Sequence, residues 1–155
     1  MANKHAFLDN FNKEIAKMDG VSTSAAPPSY WYSAGNYVLN KIISGSFSKG
    51  IPQGRITDLA GPSGAGKSFI AANLVMAAQK DGATVLVIDS EGALDDMFME
   101  AIGVDVHNDY SYAEVNTIPG VTKVVAKFIT NYVNEHKDDA TAPRALIVID
   151  SLDML

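Results

Sequence analysis

Apolar residues recur along the chain with two periods, and the alternation of these periods predicts the elements. Continuous apolar runs in ATVLVIDSEG and ALIVID predict buried strands, and RITDLAG and DYSYAEV predict two more. Helical spacing predicts helices in KSFIAANLVMAAQKDG, ending at Gly82, in ALDDMFMEAIG, and in PGVTKVVAKFITNYVNEHK, beginning near Pro119. Strands that alternate with helices at this spacing predict an α/β fold with a parallel sheet and crossover helices.

The first thirty residues have a different organisation. An amphipathic helix is predicted over about the first eighteen residues, with its end at Gly20, and the linker STSAAPPS follows. Such a helix packs either on its own domain or on a neighbouring subunit, and the pattern does not choose between them. We therefore divide the chain into a helix and linker, residues 1–30, and a core, residues 31–155.

The core begins with aromatic and glycine-rich segments. Tyr30, Trp31 and Tyr32 are interpreted as packing residues rather than as a base-stacking platform. A second short helix is predicted from the positions of Tyr37, Val38 and Ile42, closed by Gly45. A glycine-punctuated loop is predicted to follow this helix.

Composition narrows the class of protein. The 155 residues are 47% hydrophobic and 19% charged, which is typical of one globular domain. A net charge of -6 gives no support for a nucleic-acid or anionic membrane surface. The chain has no cysteine, no apolar run long enough to cross a membrane and no signal-like N-terminus, so a cytoplasmic location is expected.

The segment GPSGAGKS, residues 61–68, carries the strongest chemical signal. It fits the pattern GxxxxGK(S/T) between a predicted strand and a predicted helix, where glycines let backbone N–H groups face a phosphate chain. Lys67 is predicted to reach the β- and γ-phosphates, and Ser68 to bind Mg²⁺. The residues assigned to ATP binding are Gly61, Pro62, Ser63, Gly64, Ala65, Gly66, Lys67, Ser68 and the following Phe69.

Acidic residues end both apolar strands. Asp150 is predicted to hold Mg²⁺ with Ser68, since acids at the carboxyl ends of parallel strands share one edge of a sheet; the alternative is a turn residue. Asp89 or Glu91 is predicted to polarise the attacking water, or else to be a solvated acid or helix cap. Met97, Phe98 and Met99 are interpreted mainly as core residues. The three histidines share no metal-ligand spacing.

The segments GNYVLNKIISG, GIPQGRITDLAGPSGAGKS, VLVIDSEGALDDMF and ALIVIDSLDML, in this order, resemble the RecA family of recombinases, most closely its phage UvsX-type branch. The resemblance covers residues 33–155 and implies a RecA-like P-loop NTPase core. It implies that Glu91 activates the hydrolytic water, that Asp95 contacts the adenine amino group, and that Phe98 lies against the adenine face where relatives often have tyrosine. Gly92 departs from the residue that commonly follows the glutamate.

The resemblance also bears on the last strand. In relatives the DNA-binding loops, a γ-phosphate-sensing glutamine and lysines that reach a neighbour's ATP all follow the Asp150 strand, and the next strand inserts between that strand and the phosphate-loop strand. Leu146, Ile147, Val148 and Ile149 have the pattern of a strand buried on both faces in mid-sheet. The expectation is therefore a truncated recombinase that is weakly active or inactive alone.

The function implied is that of a DNA-dependent ATPase in DNA recombination and repair. In complete form it binds ATP and Mg²⁺, forms homo-oligomeric filaments on single-stranded DNA and promotes strand exchange, with recombination mediators and single-strand-binding proteins as partners and no membrane. The alternatives are a replicative-helicase-like or circadian-clock-type ATPase, and a non-hydrolysing nucleotide-binding module completed by a partner.

Overall fold

A computed structural model describes residues 4–23 and 27–155 of the chain, apart from the side chains of Lys4, His5 and Met154. It contains five helices and five strands within those ranges, and a final 3₁₀ turn. In chain order they are α1 (Lys4–Ile15), β1 (Trp31–Tyr32), α2 (Tyr37–Ser44), β2 (Ile51–Pro52), α3 (Lys67–Lys80), β3 (Thr84–Asp89), α4 (Asp96–Ile102), β4 (Tyr110–Glu114), α5 (Ile118–Glu135), β5 (Ala145–Asp150) and the 3₁₀ turn (Leu152–Met154).

Three strands form a parallel sheet in the order β4-β3-β5. The central strand β3 is buried from Val85 to Asp89, and Asp89 lies beside both Glu114 of β4 and Asp150 of β5. The predicted mixed α/β fold with a parallel sheet is thus confirmed. The carboxyl ends of all three strands lie at one edge, which we call the carboxyl edge.

Helices cover both faces of this sheet because the side chains of β3 alternate between them. Val85 and Val87 face α3 and α4, where they pack with Ala72, Val75 and Met99. On the opposite face, Leu86 and Ile88 pack against α5 through Val121, with Val124, Val125 and Phe128 partly buried beside them. The apolar stripe predicted for α5 therefore covers the sheet.

β1 and β2 form a small antiparallel pair, and the buried Asn40 of α2 binds the segments that follow β1 and precede β2. Its Oδ1 accepts from the Ala34 N–H at 2.7 Å, and its amide donates to the Phe47 carbonyl at 2.9 Å. A Cβ at Gly50 would lie 2.5 Å from the Ala34 nitrogen, so only glycine fits there. Tyr32 is buried in the same core, in agreement with its interpretation as a packing residue.

The N-terminal helix is shorter than predicted. α1 ends at Ile15, and turns continue to Gly20, whose φ is 74°. Its side chains Phe7, Leu8 and Phe11 are exposed, with Phe7 and Phe11 stacked at 6.2 Å between ring centroids. Residues 1–3 of the predicted helix and 24–26 of the predicted linker lie outside the described residues.

Two strand predictions are wrong in part. Residues 55–61 form no strand, and Ile56 is fully exposed. β5 is an edge strand whose residues are only half-buried, not a strand buried on both faces. The two differences share one cause, since a strand requires a hydrogen-bonded neighbour and no described strand lies between β5 and residues 55–61.

The helix predictions agree better, because helix signals are local. α2 ends at Gly45 in the left-handed conformation, α3 ends at Lys80, two residues before Gly82, and α5 has Pro119 in its first turn. The predicted face of α2 is turned outward, however, with Tyr37, Val38 and Ile42 all exposed. No helix in the described ranges is long and apolar enough to cross a membrane.

Candidate functional site

The direction of α3 places its first residues near the carboxyl edge. The helix ends at Lys80 and β3 begins at Thr84, so the two elements run in opposite directions while α3 packs on the sheet. The 14 residues of α3 span about 21 Å and the 6 residues of β3 about 20 Å. The glycine-rich loop, residues 61–68, therefore lies at about the level of Asp89 and Asp150.

The glycine-rich loop leaves the start of α3 unpaired. Gly64 and Gly66 have φ values of 75° and 88°, which glycine adopts without strain. Gly66 occupies the N-cap position and has no side chain to pair the first helical N–H groups. The first helical hydrogen bond is from Ile70 to the Gly66 carbonyl at 2.9 Å.

The N–H groups of Lys67, Ser68 and Phe69 consequently make no hydrogen bond to any described residue. Unpaired N–H groups at the positive end of a helix are suited to binding an anion. The loop is exposed from 61 to 66, so a ligand could reach these groups from solvent.

Lys67 folds back over this loop. Its Nζ donates to the Gly61 carbonyl at 2.9 Å and to the Pro62 carbonyl at 3.2 Å. The hydroxyl of Ser68 makes no hydrogen bond within the described residues, and Phe69 is exposed. A cationic amine and a free hydroxyl therefore lie next to the unpaired helix start.

Asp89 has a role that the sequence did not indicate. Its side chain is fully buried, and its Oδ1 accepts from the N–H groups of Glu91 at 2.9 Å and Gly92 at 2.8 Å. Its Oδ2 accepts from the Leu94 N–H at 2.8 Å and from the Tyr112 hydroxyl at 3.2 Å. With both oxygens occupied, Asp89 shapes the loop after β3 and is not available to activate water.

The Tyr112 hydroxyl remains a hydrogen-bond donor to the Asp89 carboxylate over the physiological pH range. Burial, followed by the charge of Asp89 and the hydrogen bond to it, raises the pKa of Tyr112 to about 12. The phenol is therefore protonated at neutral pH, and Asp89 keeps four donors.

Glu91 is exposed at the carboxyl edge, two residues beyond Asp89. Its Oε1 accepts from the Ser151 hydroxyl at 2.6 Å. The backbone of Ser151 is in turn bound to Ser90, whose Oγ accepts from the Ser151 N–H at 3.0 Å and donates to the Ser151 carbonyl at 2.7 Å. These contacts join the end of β3 to the end of β5.

Asp150 differs from Asp89 although the two are neighbours in register. Its carboxylate makes no hydrogen bond in the described part of the chain and is partly exposed. The peptide bond between Asp150 and Ser151 is cis. A carboxylate and a serine hydroxyl are hard oxygen ligands that suit Mg²⁺, which keeps several of its waters. Asp150 and Ser68 thus have the donor chemistry that the predicted metal role requires, and the role itself stays a prediction.

Asp95 and Phe98 lie at the start of α4. Asp95 is the N-cap residue, and its Oδ1 accepts from the Phe98 N–H at 2.8 Å. Phe98 is partly buried against the core, Met99 is fully buried and Met97 is 81% exposed. The core interpretation is therefore correct for Met99, holds in part for Phe98 and is wrong for Met97.

The two histidines whose side chains the structure describes, His107 and His136, lie in separate places. His107 makes an exposed contact of 3.5 Å with Glu100, and the His136 ring packs at a tilt against Tyr132 at the end of α5, with 4.7 Å between ring centroids. No group of three or more His, Cys, Asp or Glu side chains that could hold a metal occurs among residues 4–23 and 27–155.

Sequence reasoning missed Ser90 and Ser151, although a signal was present. The tetrapeptide VIDS occurs twice, at residues 87–90 and 148–151. Parallel pairing sets the two copies side by side, with Asp89 beside Asp150. Two identical strand ends in one parallel sheet would have indicated that their serines meet.

Comparisons with known proteins converge on one family. Residues 12–114 match the family described as RecA N-terminal domain. The chain is 36% identical over 113 residues to Protein RecA of Nautilia profundicola, covering 69% of this chain and 31% of that protein. It is 46% identical over 59 residues to Protein RecA of Clostridium novyi, covering 38% of this chain and 17% of that protein.

A plant relative extends the comparison. The DNA repair protein recA homolog 3, mitochondrial, of Arabidopsis thaliana is 35% identical over 77 residues, covering 50% of this chain and 17% of that protein. The matched region thus spans about a third or less of each relative. The match over residues 12–114 includes the glycine-rich loop and Glu91 but ends before Asp150 and Ser151.

Proposed function

Because this chain belongs to the RecA family, we propose that it is the ATP-binding part of a DNA-dependent ATPase of the phage UvsX type. The whole protein would form filaments on single-stranded DNA and promote homologous pairing and strand exchange in the cytoplasm. Family membership favours this recombinase over the helicase-like and clock-type alternatives.

The observation that carries the proposal is the unpaired start of α3. Three N–H groups, a lysine amine and glycines in left-handed conformations lie together at the level of the carboxyl edge. In open α/β sheets ligands bind at that edge, and phosphate chains bind helix N-termini. Lys67 would exchange the Gly61 and Pro62 carbonyls for the β- and γ-phosphates, because phosphate is the stronger acceptor.

Mg²⁺ would neutralise charge on the phosphates when bound. Ser68 and Asp150 would hold it, directly or through water. Asp89 is the alternative acid at this edge, but ligating a metal would require its buried carboxylate to lose hydrogen bonds from the N–H groups of Glu91, Gly92 and Leu94. Asp150 has no such bonds to lose, which favours it as the metal ligand.

Glu91 would act on the water that attacks the γ-phosphorus. As the new P–O bond forms, the water proton moves to the Glu91 carboxylate and the bond to the β–γ bridging oxygen breaks. Lys67 and the loop N–H groups stabilise charge on the phosphate oxygens during this step. The exposure of Glu91 leaves room for water beside it.

The adenine would lie near the start of α4. Asp95 uses Oδ1 to cap the helix, which leaves Oδ2 to accept from the adenine amino group. Phe98 and the exposed Phe69 would contact the nucleotide by their ring faces.

Polymerisation and DNA binding are assigned to different parts of the protein. Residues 1–30 would act as an oligomerisation helix and linker, since the apolar side chains of α1 are exposed. The net charge of -6 offers these 155 residues little attraction for DNA, so DNA contacts would come from other segments of the whole protein. Recombination mediators and single-strand-binding proteins would be its partners.

The substitution Lys67→Ala tests the proposal. We expect ATP turnover to fall on the order of a hundredfold or more, because one charge-stabilising group is removed. Lys80→Ala is the matched control, an exposed lysine at the other end of α3, and it should leave turnover within about twofold. ATP turnover is measured with single-stranded DNA present. Unchanged turnover in Lys67→Ala would contradict the proposal.

A further inference from the structure

Both the backbone and the side chain of Glu91 are hydrogen-bonded. Its N–H donates to Asp89 Oδ1 at 2.9 Å, and its Oε1 accepts from the Ser151 hydroxyl at 2.6 Å. Its second oxygen, Oε2, accepts no hydrogen bond from the described residues. One oxygen is therefore fixed while the other is left for water.

Ser151 is fixed independently of its hydroxyl. Ser90 binds both the N–H and the carbonyl of Ser151, and the Ser90 N–H donates to the Asp150 carbonyl at 2.9 Å. The Ser151 side chain takes no part in these bonds. Its hydroxyl can therefore be removed without removing the hydrogen bonds that join β3 to β5.

We propose that Ser151 is a positioning residue that orients the Glu91 carboxylate toward the attacking water. The proposal rests on the proposed ATP hydrolysis. A general base must lie within hydrogen-bond reach of the proton it takes, and bases are commonly oriented by a third group. An exposed glutamate has three side-chain torsions, and the bond from Ser151 selects the orientation that these torsions would otherwise leave open.

A purely structural role for Ser151 predicts something different. If its hydroxyl only joined the two strand ends, its removal would lower stability and leave the chemical step unchanged. A positioning role lowers kcat while the affinity for ATP stays the same, since Ser151 makes no contact with the glycine-rich loop in the described hydrogen bonds.

The experiment compares Ser151→Ala, Ser151→Thr and Glu91→Gln in protein expressed from the intact gene. Threonine keeps the hydroxyl and suits the extended backbone of Ser151, where φ is -119° and ψ is 164°. Ser111→Ala is the control, because this exposed serine on β4 makes no hydrogen bond through its hydroxyl within the described ranges. The readouts are the Kd for a fluorescent ATP analogue, kcat with single-stranded DNA, and Tm.

We expect Ser151→Ala to lower kcat about tenfold or more with Kd within about twofold, and Ser151→Thr to recover most of the loss. Normal kcat in Ser151→Ala beside an inactive Glu91→Gln would overturn the positioning role and leave the proposed function intact. Equal losses in both Ser151 variants with lowered Tm would also overturn it. Full turnover in both Glu91→Gln and Lys67→Ala would overturn the proposed function and the positioning role together.

Discussion

At the scale of single residues, Asp89 and Asp150 occupy the same position in the repeated tetrapeptide VIDS but lie in different surroundings. Asp89 ends the central strand, where it is fully buried and accepts four hydrogen bonds. Asp150 ends an edge strand, where its carboxylate is partly exposed and unpaired in the described part of the chain. A buried carboxylate requires donors, whereas an exposed one remains free for a metal.

The substitution Asp89→Asn should lower the free energy of unfolding by about 3 kcal/mol. The asparagine side chain keeps one acceptor oxygen, but its NH₂ group cannot accept, so at least one of the N–H groups of Glu91, Gly92 and Leu94 would be left unpaired. Denaturant unfolding of the protein measures the change. Asp150→Asn is the matched control and should change stability by less than about 0.5 kcal/mol while weakening Mg²⁺-dependent ATP binding. Equal destabilisation by the two variants would contradict this account.

At the scale of elements, α4 shows how one side chain can serve two purposes. Asp95 caps the helix through Oδ1, Gly103 ends it in the left-handed conformation, and Met99 buries its inner face. The cap fixes where the helix begins. It therefore fixes the position of the residues proposed to contact adenine.

Asp95→Ala should lower the free energy of unfolding by about 1 kcal/mol, because the cap is lost. Asp95→Ser should restore stability, since serine is an equally good cap. The proposed contact of Asp95 with the adenine amino group would favour ATP over GTP. In both variants we expect this preference to fall roughly tenfold, because one hydrogen bond is lost. Thermal unfolding and competitive binding separate the two effects. A preference for ATP that is kept in Asp95→Ser would show that the carboxylate does not contact adenine.

The elements also show which parts of the fold the sequence could predict. α2, α3 and α5 were predicted because their end signals, Gly45, Gly82 and Pro119, act within one turn of the chain. Residues 55–61 were wrongly predicted as a strand because a strand depends on a neighbour that the local pattern does not reveal. The contact of Glu91 with Ser151, across 60 positions, was missed for the same reason.

At the scale of the whole molecule, α1 and α2 each expose several apolar side chains. Phe7, Leu8 and Phe11 are exposed on α1, and Tyr37, Val38 and Ile42 on α2. Contiguous exposed apolar side chains are typical of surfaces that bind another protein. These regions agree with the proposed assembly into filaments.

Phe11→Glu should weaken self-association by about tenfold or more, because a charge would replace a ring at the proposed contact. Sedimentation over a range of protein concentrations measures the association. Val133→Glu is the control, since Val133 on α5 is 54% exposed and Phe11 is 47% exposed. Both variants should bind ATP as the unchanged protein does. If Val133→Glu weakened association as much as Phe11→Glu, the assignment to α1 would be wrong.

We expect the backbone hydrogen bond of Glu91, to Asp89, and its side-chain hydrogen bond, from Ser151, to form at different times during synthesis of the chain. The amides that Asp89 binds lie two to five residues away, and Tyr112 lies 23 residues away, whereas Ser90 and Ser151 are 61 residues apart. Contacts between distant residues form later, and synthesis at 5–20 residues per second puts roughly 3–12 seconds between emergence of the two serines. We therefore expect a nascent chain to acquire the backbone shape of this loop first, and the Glu91 side chain to be held only when β5 docks on β3.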